Sequence, residues 1–305
     1  MNSNAARALI FLLLLVSARA DIAQQAHQNS YQNSFLGFDR NDYPGDALLP
    51  DLHRDFRYTS YWLNNPPGES ANGWEGKRAL LKQNGFGFLV LFNGRLDAQL
   101  KGNDAAALGA ADGKAAAAAA LHEGFARNVL IFLDQEEGGR LLPEQAAYIF
   151  AWIDAVRAAG ARTGVYCSGI ETRDESGAVS TALDIAAREN ARNTNSAGRN
   201  GKNRLALWIA NDACPPAPGC TLTAPPMTPA IPIELRDFAT VWQYAQSPRR
   251  MEFSGQCPAN AAPDGKCYAP GLPQSANTFV DLDTANSPDP SEAPSLHRLR
   301  RVSTL

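Results

Sequence analysis

Short apolar runs separated by longer mixed stretches recur along the chain from residue 35 to residue 283. Eight of them have the length and composition of buried strands. They are Phe35 to Phe38, Tyr58 to Leu63, Phe86 to Phe92, Val129 to Leu133, Thr163 to Cys167, Leu205 to Ala210, Ala239 to Tyr244 and Thr278 to Leu282. Runs that are apolar at successive positions belong to strands covered on both faces. Between them lie helical intervals. Trp74 to Gln83 ends at Asn84-Gly85, a C-cap signal, and Pro143 to Ala159 starts with a first-turn proline and ends at Gly160. Ala147, Phe150, Ile153 and Val156 fall on one face of the second. The Ala-rich interval from Asp104 to Arg127 reads as one helix, with Asp112-Gly113 the point where a break could fall. Buried strands alternating with helices predict an α/β fold, a (β/α)8 TIM-type barrel, with an open doubly wound sheet as the alternative. The second half should be irregular, because Asn190 to Arg204 and Ala213 to Asp237 are polar or Pro-rich loops.

The two ends fall outside this rhythm. Arg7, the apolar run Leu9 to Val16 and Ala18-Arg19-Ala20 have the three-part form of a cleavable secretory signal over residues 1–20. The run is far shorter than the roughly 20 residues needed to span a bilayer. Residues 21–33 are polar, residues 34–284 form the expected barrel, and residues 285–305 are expected to be a disordered tail, basic from Arg298 to Arg301. A secreted or periplasmic location follows, with no membrane span in the mature chain. In that oxidising setting the five cysteines read as disulfide candidates. Cys214 and Cys220 flank one loop, Cys257 and Cys267 another; two local bonds are the natural pairing, although four cysteines permit three connectivities. Cys167 is left over in an apolar strand and is expected to be a free, buried hydrophobe.

A net charge of −3 leaves no basic footprint for nucleic acid. There is no Walker A loop and no G-x-G-x-x-G after a strand, so nucleotide binding lacks support. The four histidines are scattered without ligand spacing, so neither a metal site nor a Ser-His-Asp triad is expected, and no cofactor. A monomer is expected.

The sharpest chemical feature is the strand Val129 to Glu136, which ends in Asp134-Gln135-Glu136. Alternation places Asp134 and Glu136 on one side with backbones about 6.6 Å apart. At the C-terminal end of a barrel strand that side is the mouth, where active sites of this fold sit. Paired carboxyls of glycosidases lie roughly 5 to 9.5 Å apart, and mutual repulsion plus partial burial raises one pKa to make a proton donor. Other strand ends offer compatible groups: Asp39, Tyr166, Trp208, Gln243 between aromatics, and Asp281 with Asp283.

In this order and spacing, Gly-Phe-Asp39, Phe-Leu-Asp134-Gln-Glu136, Gly-Val-Tyr166, Leu-Trp208-Ile-Ala, Trp-Gln243-Tyr and Asp281-Leu-Asp283 resemble the glycoside-hydrolase-like barrel family, formerly a domain of unknown function. That family is similar to the family 25 lysozymes, which cleave the β-1,4 bond between N-acetylmuramic acid and N-acetylglucosamine. The resemblance spans about Phe35 to Asp283. It implies that Glu136 is the general acid, and that Asp134 acts on the reaction centre or orients the substrate's acetamido group. It implies further that Asp39 is the first-strand aspartate and Asp281 or Asp283 the last-strand carboxylate. Tyr166 and Gln243 would lie at the groove floor. The chain departs from the lysozyme pattern in Arg40-Asn41-Asp42 after the first strand, in Glu-Gly-Gly after the Asp-x-Glu, and in its cysteine loops.

The expected protein is therefore a secreted glycoside hydrolase, with Glu136, Asp134 and Asp39 catalytic and Tyr166, Trp208, Gln243, Asp281 and Asp283 contacting substrate. Its partner would be a polysaccharide such as peptidoglycan. The alternatives are a non-catalytic wall- or polysaccharide-binding protein that keeps the groove, and a hydrolase for a different polysaccharide.

Overall fold

The computed structural model describes residues 34–194, 204–227, 230–257, 262–272 and 276–292. The signal reading of residues 1–20, the polar segment 21–33 and the basic stretch 298–301 fall outside the described residues.

Eight strands close into a barrel: β1 (Phe35–Asp39), β2 (Tyr58–Trp62), β3 (Gly87–Asn93), β4 (Leu130–Asp134), β5 (Arg162–Ser168), β8 (Ala206–Ala210), β9 (Ala239–Ala245) and β10 (Asp281–Ala285). A short hairpin, β6 (Thr172–Asp174) and β7 (Gly177–Val179), lies outside it. Around the barrel run α1 (Leu49–Leu52), α2 (Arg78–Gln83), α3 (Asp97–Leu100), α4 (Ala105–His122), α5 (Pro143–Ala158) and α6 (Thr181–Thr194). The TIM-type α/β barrel expected from the sequence is therefore present.

One strand departs from the all-parallel expectation. β10 pairs antiparallel with both β1 and β9, while the other barrel pairs are parallel. A parallel neighbour needs a crossover back to the opposite end of the sheet. The described residues between β9 and β10 contain no such crossover strand or helix, and β10 starts at the mouth and runs down. β10 also begins three residues later than the apolar run starting at Thr278.

The Ala-rich interval is one unbroken helix, so Asp112-Gly113 is no break. Ala105, Gly109, Gly113, Ala116 and Ala120 form its buried stripe, which lies against α5. A Cβ on Gly109 would stand 2.2 Å from the Tyr148 carbonyl oxygen, and one on Gly113 2.7 Å from that of Trp152. The glycines are thus a close-approach surface, and helical propensity is sacrificed there for contact. On α5, Phe150, Ile153 and Val156 are buried as the periodicity predicts, but Ala147 faces solvent. Helix α6 extends through 194, into the start of the interval read as a loop from residue 190.

Two disulfides are present, but not the local ones. Cys214 bonds Cys257 and Cys220 bonds Cys267, while Cys167 is free and buried as expected. Each bond links the β8–β9 connection to the β9–β10 connection, across 43 and 47 residues. Both connections project from the mouth beside neighbouring strands, so the nearest cysteine in space is not the nearest in sequence. Closing loops of that length stabilises a fold by roughly 4 kcal/mol each in the chain-entropy account. Such bonds belong to oxidising compartments. Among the described residues no helix is long and apolar enough to cross a membrane.

The expected disordered tail does not begin at 285. Residues 286–292 return under the barrel and fill the splay between β3 and β4. Ser291 N donates to the Phe88 carbonyl (2.9 Å), Leu130 N donates to the Ser291 carbonyl (2.8 Å), and Val90 N donates to Ser291 Oγ (2.9 Å). Phe88 N donates to Asp289 Oδ1 (3.1 Å). Proline and serine content made this segment look unstructured, yet it satisfies strand groups that would otherwise be buried unpaired. Ser291→Ala should therefore leave the Val90 N–H without its partner and cost about 1 to 3 kcal/mol. Urea denaturation reads this out; an unchanged midpoint would mean the tail contact is not part of the folded unit.

Candidate active site

Alternation along the strands selects which side chains reach the barrel interior. Gly37 and Asp39 point inward from β1, Phe132 and Asp134 from β4, and Tyr166 and Trp208 from β5 and β8. The aromatic groups form the floor. Tyr166 and Phe132 meet the Trp208 ring edge-on at 5.0 and 5.8 Å between centroids. Gly37 makes room for the Tyr58 ring, which a Cβ there would overlap at 1.9 Å.

Above this floor is a cavity of about 210 Å3, lined by Asp39, Asp134, Glu136 and Asp281 together with Tyr166 and Trp208. Asn41, Trp62, Leu91, Gln246, Ser247 and Pro248 complete the wall. Asp39 and Glu136 thus share one mouth. The other expected residues lie just beneath the surface. Gln243 is buried and donates through Nε2 to Asp39 Oδ2 (2.8 Å) and more weakly to Asp281 Oδ2 (3.5 Å). Its Oε1 accepts from the Tyr166 hydroxyl (2.9 Å) and from Gln246 Nε2 (2.9 Å). Asp283 is fully buried, and its Oδ1 accepts from Trp208 Nε1 (2.9 Å). Asp283, Gln243 and the Trp208 indole N–H are therefore supports of the carboxyls above them, not groups standing free in the cavity.

Crowding of acids governs the electrostatics. Burial pushes the Asp39 carboxyl up to about 6, against the pull of hydrogen bonds from Gln243 and Asp283. Asp134, Asp281 and Asp283 are held well above the ordinary carboxylate range, first by burial and then by neighbouring carboxylates. The contact between Asp283 and Asp39 requires a proton. Burial and then the Asp39 charge keep it on Asp283, whose Oδ2 has no hydrogen-bond partner. Glu136 is raised as well, by burial and the Asp39 charge, with Arg250 pulling it back. Its side chain is open to solvent at the rim, but surrounding loops remove enough water for desolvation to lead. Glu137, next along, is spent on structure: its Oε2 accepts from Asp97 N (2.8 Å) and Gln145 Nε2 (2.6 Å).

The sequence reading missed the roof. Gln246, Ser247 and Pro248 follow β9 directly, and Ser247 N donates to Asp281 Oδ1 (2.5 Å). Pro248 just past a strand end was the available signal that the chain turns across the mouth there. Arg250, on the same disulfide-tied connection, lies 3.5 Å from Asp212 and donates to Gln246 Oε1 (3.2 Å).

A larger cavity, about 920 Å3, lies outside the barrel wall beside α4 and contains none of these residues. Its polar groups are engaged with one another: Asn93 N donates to Asn64 Oδ1 (2.8 Å), and Arg95 pairs with Asp112 (2.6 Å). Among the described residues, no group of three or more His, Cys, Asp or Glu side chains is arranged to hold a metal ion.

With this geometry in place, a family model described as Rv2525c-like, glycoside hydrolase-like domain matches residues 60–214. The chain belongs to that family. The matched span includes Asp134, Glu136, Tyr166 and Trp208, whereas Asp39, Gln243, Asp281 and Asp283 lie outside it. Among solved structures, an uncharacterized B. stearothermophilus protein is 20% identical with a TM-score of 0.54, over 82% of this chain and 95% of that one, and shares the fold. More distant are the Tat-secreted protein Rv2525c of Mycobacterium tuberculosis (12% identity, TM-score 0.46, 83% and 96% covered) and a family 25 glycosyl hydrolase from Bacillus anthracis (12%, 0.40, 83% and 89%). No curated protein matches the chain.

The raised carboxyls make stability depend on pH in this glycoside hydrolase-like domain. A carboxyl whose folded pKa exceeds its unfolded value binds protons more readily in the native state. Its contribution is full below about 3.8 and is lost as pH rises through the folded value, about 6 for Asp39. Thermal melting should therefore fall by roughly 5 to 10 °C between about pH 5 and pH 7.5. Asp134→Asn, which removes a buried charge with an unpartnered oxygen, should raise the melting temperature at the upper pH and flatten the profile. A melting temperature that rises with pH over this range would contradict the acid cluster.

Proposed function

We propose that this protein is a glycoside hydrolase acting outside the cytoplasm on a β-linked amino-sugar polymer such as peptidoglycan. The observation that supports it most is the convergence of Asp39, Asp134 and Glu136 on one cavity, with Glu136 at the open rim. Glu136 is the carboxyl that a glycosidic oxygen can reach from solvent, and its raised pKa keeps a proton available. It protonates the leaving oxygen as the sugar moves toward an oxocarbenium-like transition state. Asp39, lower and fixed by Gln243, supplies negative charge to the developing cation, since preorganised groups need no reorientation during the reaction. Asp134 meets the substituent at the neighbouring ring carbon. Such chemistry needs only protein carboxyls and water.

A second reading is a polysaccharide-binding protein without turnover. It is favoured by Arg40, whose backbone is tied to Ser60 and Trp62 where lysozymes have a small hydroxyl residue, and whose guanidinium lines the adjoining cavity.

Glu136→Gln removes the proton donor and keeps size and hydrogen bonding. Release of reducing ends from purified peptidoglycan and a polysaccharide panel should fall by about 10²–10⁴ relative to the unmodified protein. Thermal stability should change by roughly a kcal/mol or less at this exposed position. Equal rates in both forms would remove Glu136 from the mechanism. Binding with no release of reducing ends by the unmodified protein would favour the second reading.

A further inference from the structure

Cleaving a glycosidic bond employs two carboxyl groups. This cavity has four in its lining, Asp39, Asp134, Glu136 and Asp281, and no lysine, arginine or histidine. Donors are correspondingly scarce. Ser247 N is engaged by Asp281, the Tyr166 hydroxyl by Gln243, Gln243 Nε2 by Asp39, and Gln246 Nε2 by Tyr166 and Gln243. The nearest cations are held elsewhere: Arg250 by Asp212 and Gln246, Arg40 by Asp42 and the Phe279 ring.

Asp134 decides what the occupant must bring. It is 4% exposed, lines the cavity, and its Oδ2 receives no hydrogen bond. A buried acceptor left unmatched by the protein is stabilised by a ligand that supplies the donor. An acetamido group offers one neutral N–H and a carbonyl acceptor, and it brings no charge to offset the four carboxyls. A protonated amine offers three N–H donors and a positive charge, and charge-assisted hydrogen bonds are roughly twice as strong as neutral ones.

We infer that the sugar bound against Asp134 has a free amino group, so that the substrate class is a de-N-acetylated amino-sugar polymer. The inference rests on the glycosidase reading and narrows it. Two sources share this chemistry, de-N-acetylated peptidoglycan and a chitosan-like homopolymer. Entry of the ammonium is also linked to protons. Asp39, Asp134, Asp281, Asp283 and Glu136 face one another and burial raises the proton affinity of each, against Arg250 and Arg40 on one side and Asp212 on the other. A bound cation makes their ionised forms more stable and releases protons.

The test uses Glu136→Gln of the full mature chain, which binds without turnover, in calorimetric titrations near pH 6, where the amine is charged. Two matched pairs of oligosaccharides are compared: β-1,4-linked glucosamine against N-acetylglucosamine oligomers, and de-N-acetylated against native peptidoglycan fragments. In at least one pair the free-amine member should bind at least about tenfold more tightly, a difference well above calorimetric error. Repeating the titration in buffers of different ionisation enthalpy should show net proton release for that member alone. Adding Asp134→Asn should reduce the preference toward unity, and circular dichroism should show the variant folded. The pair that responds identifies the source.

Tighter or equal binding of the N-acetylated member in both pairs overturns the inference, as does failure of all four ligands to bind. Cleavage by the unmodified protein separates the two readings. If the free-amine member wins in binding but no ligand is cut, the glycosidase reading fails and amine recognition stands. If N-acetylated polymer is cut as fast as its free-amine partner, the glycosidase reading stands and amine recognition fails.

Discussion

An indole N–H donated to a fully buried aspartate is the contact on which the mouth of this barrel is built. Trp208 holds Asp283 at 2.9 Å, and burial and the neighbouring Asp39 charge keep Asp283 protonated. Gln243 approaches Asp39 from the other side and is fixed by Tyr166 and Gln246. A carboxyl at the top of β1 thus has its orientation set by residues of β5, β8, β9 and β10. Removal of any one member would leave a buried polar group without its partner, which costs more than the bond itself contributes.

Such a network needs a rigid surround. β10 is antiparallel, so it presents Asp281 at its first residue and Asp283 two positions deeper, on the same face by alternation. The return of the chain under β3 and β4 anchors the far end of that strand. At the near end, two disulfides tie the β9–β10 connection to the β8–β9 connection. The segment that gives Gln246 and Ser247 to the site is therefore restrained by covalent bonds where a regular barrel would use a packed helix. Long loops are entropically costly to order, and the crosslinks reduce that cost in the unfolded chain.

The strands of the barrel were legible because each is a short apolar run, and the carboxyl positions because they end those runs. Asp39, Asp134 and Glu136 meet at one mouth for the reason the alternation argument gave. What the sequence hid are relations between distant segments. The antiparallel sense of β10 depends on the path of residues 246–280, which no local periodicity encodes. The disulfide partners depend on two loops lying side by side, and cysteines close in sequence were a poor guide to that. Trp208 lines the cavity floor, and Gln243, 1% exposed, holds Asp39 from below, a difference that strand-end position alone does not reveal. Distinguishing a group that faces a ligand from one that supports it requires the register between neighbouring strands.

The division between the lower and upper carboxyls has a chemical consequence. Asp283 lies below the cavity, held protonated by burial and the Asp39 charge. Asp39 is raised by burial to about 6, and the hydrogen bonds it accepts work against that rise and favour its ionised form. Glu136 has no such donors, reaches the rim, and is pushed up by the desolvation of its surroundings and then by the Asp39 charge. Asp134, buried and with one oxygen unmatched, fits neither role cleanly. Its position in the cavity wall, between the rim acid and the aromatic floor, leaves that oxygen facing whatever the cavity holds, which is why the proposed choice of substrate turns on it.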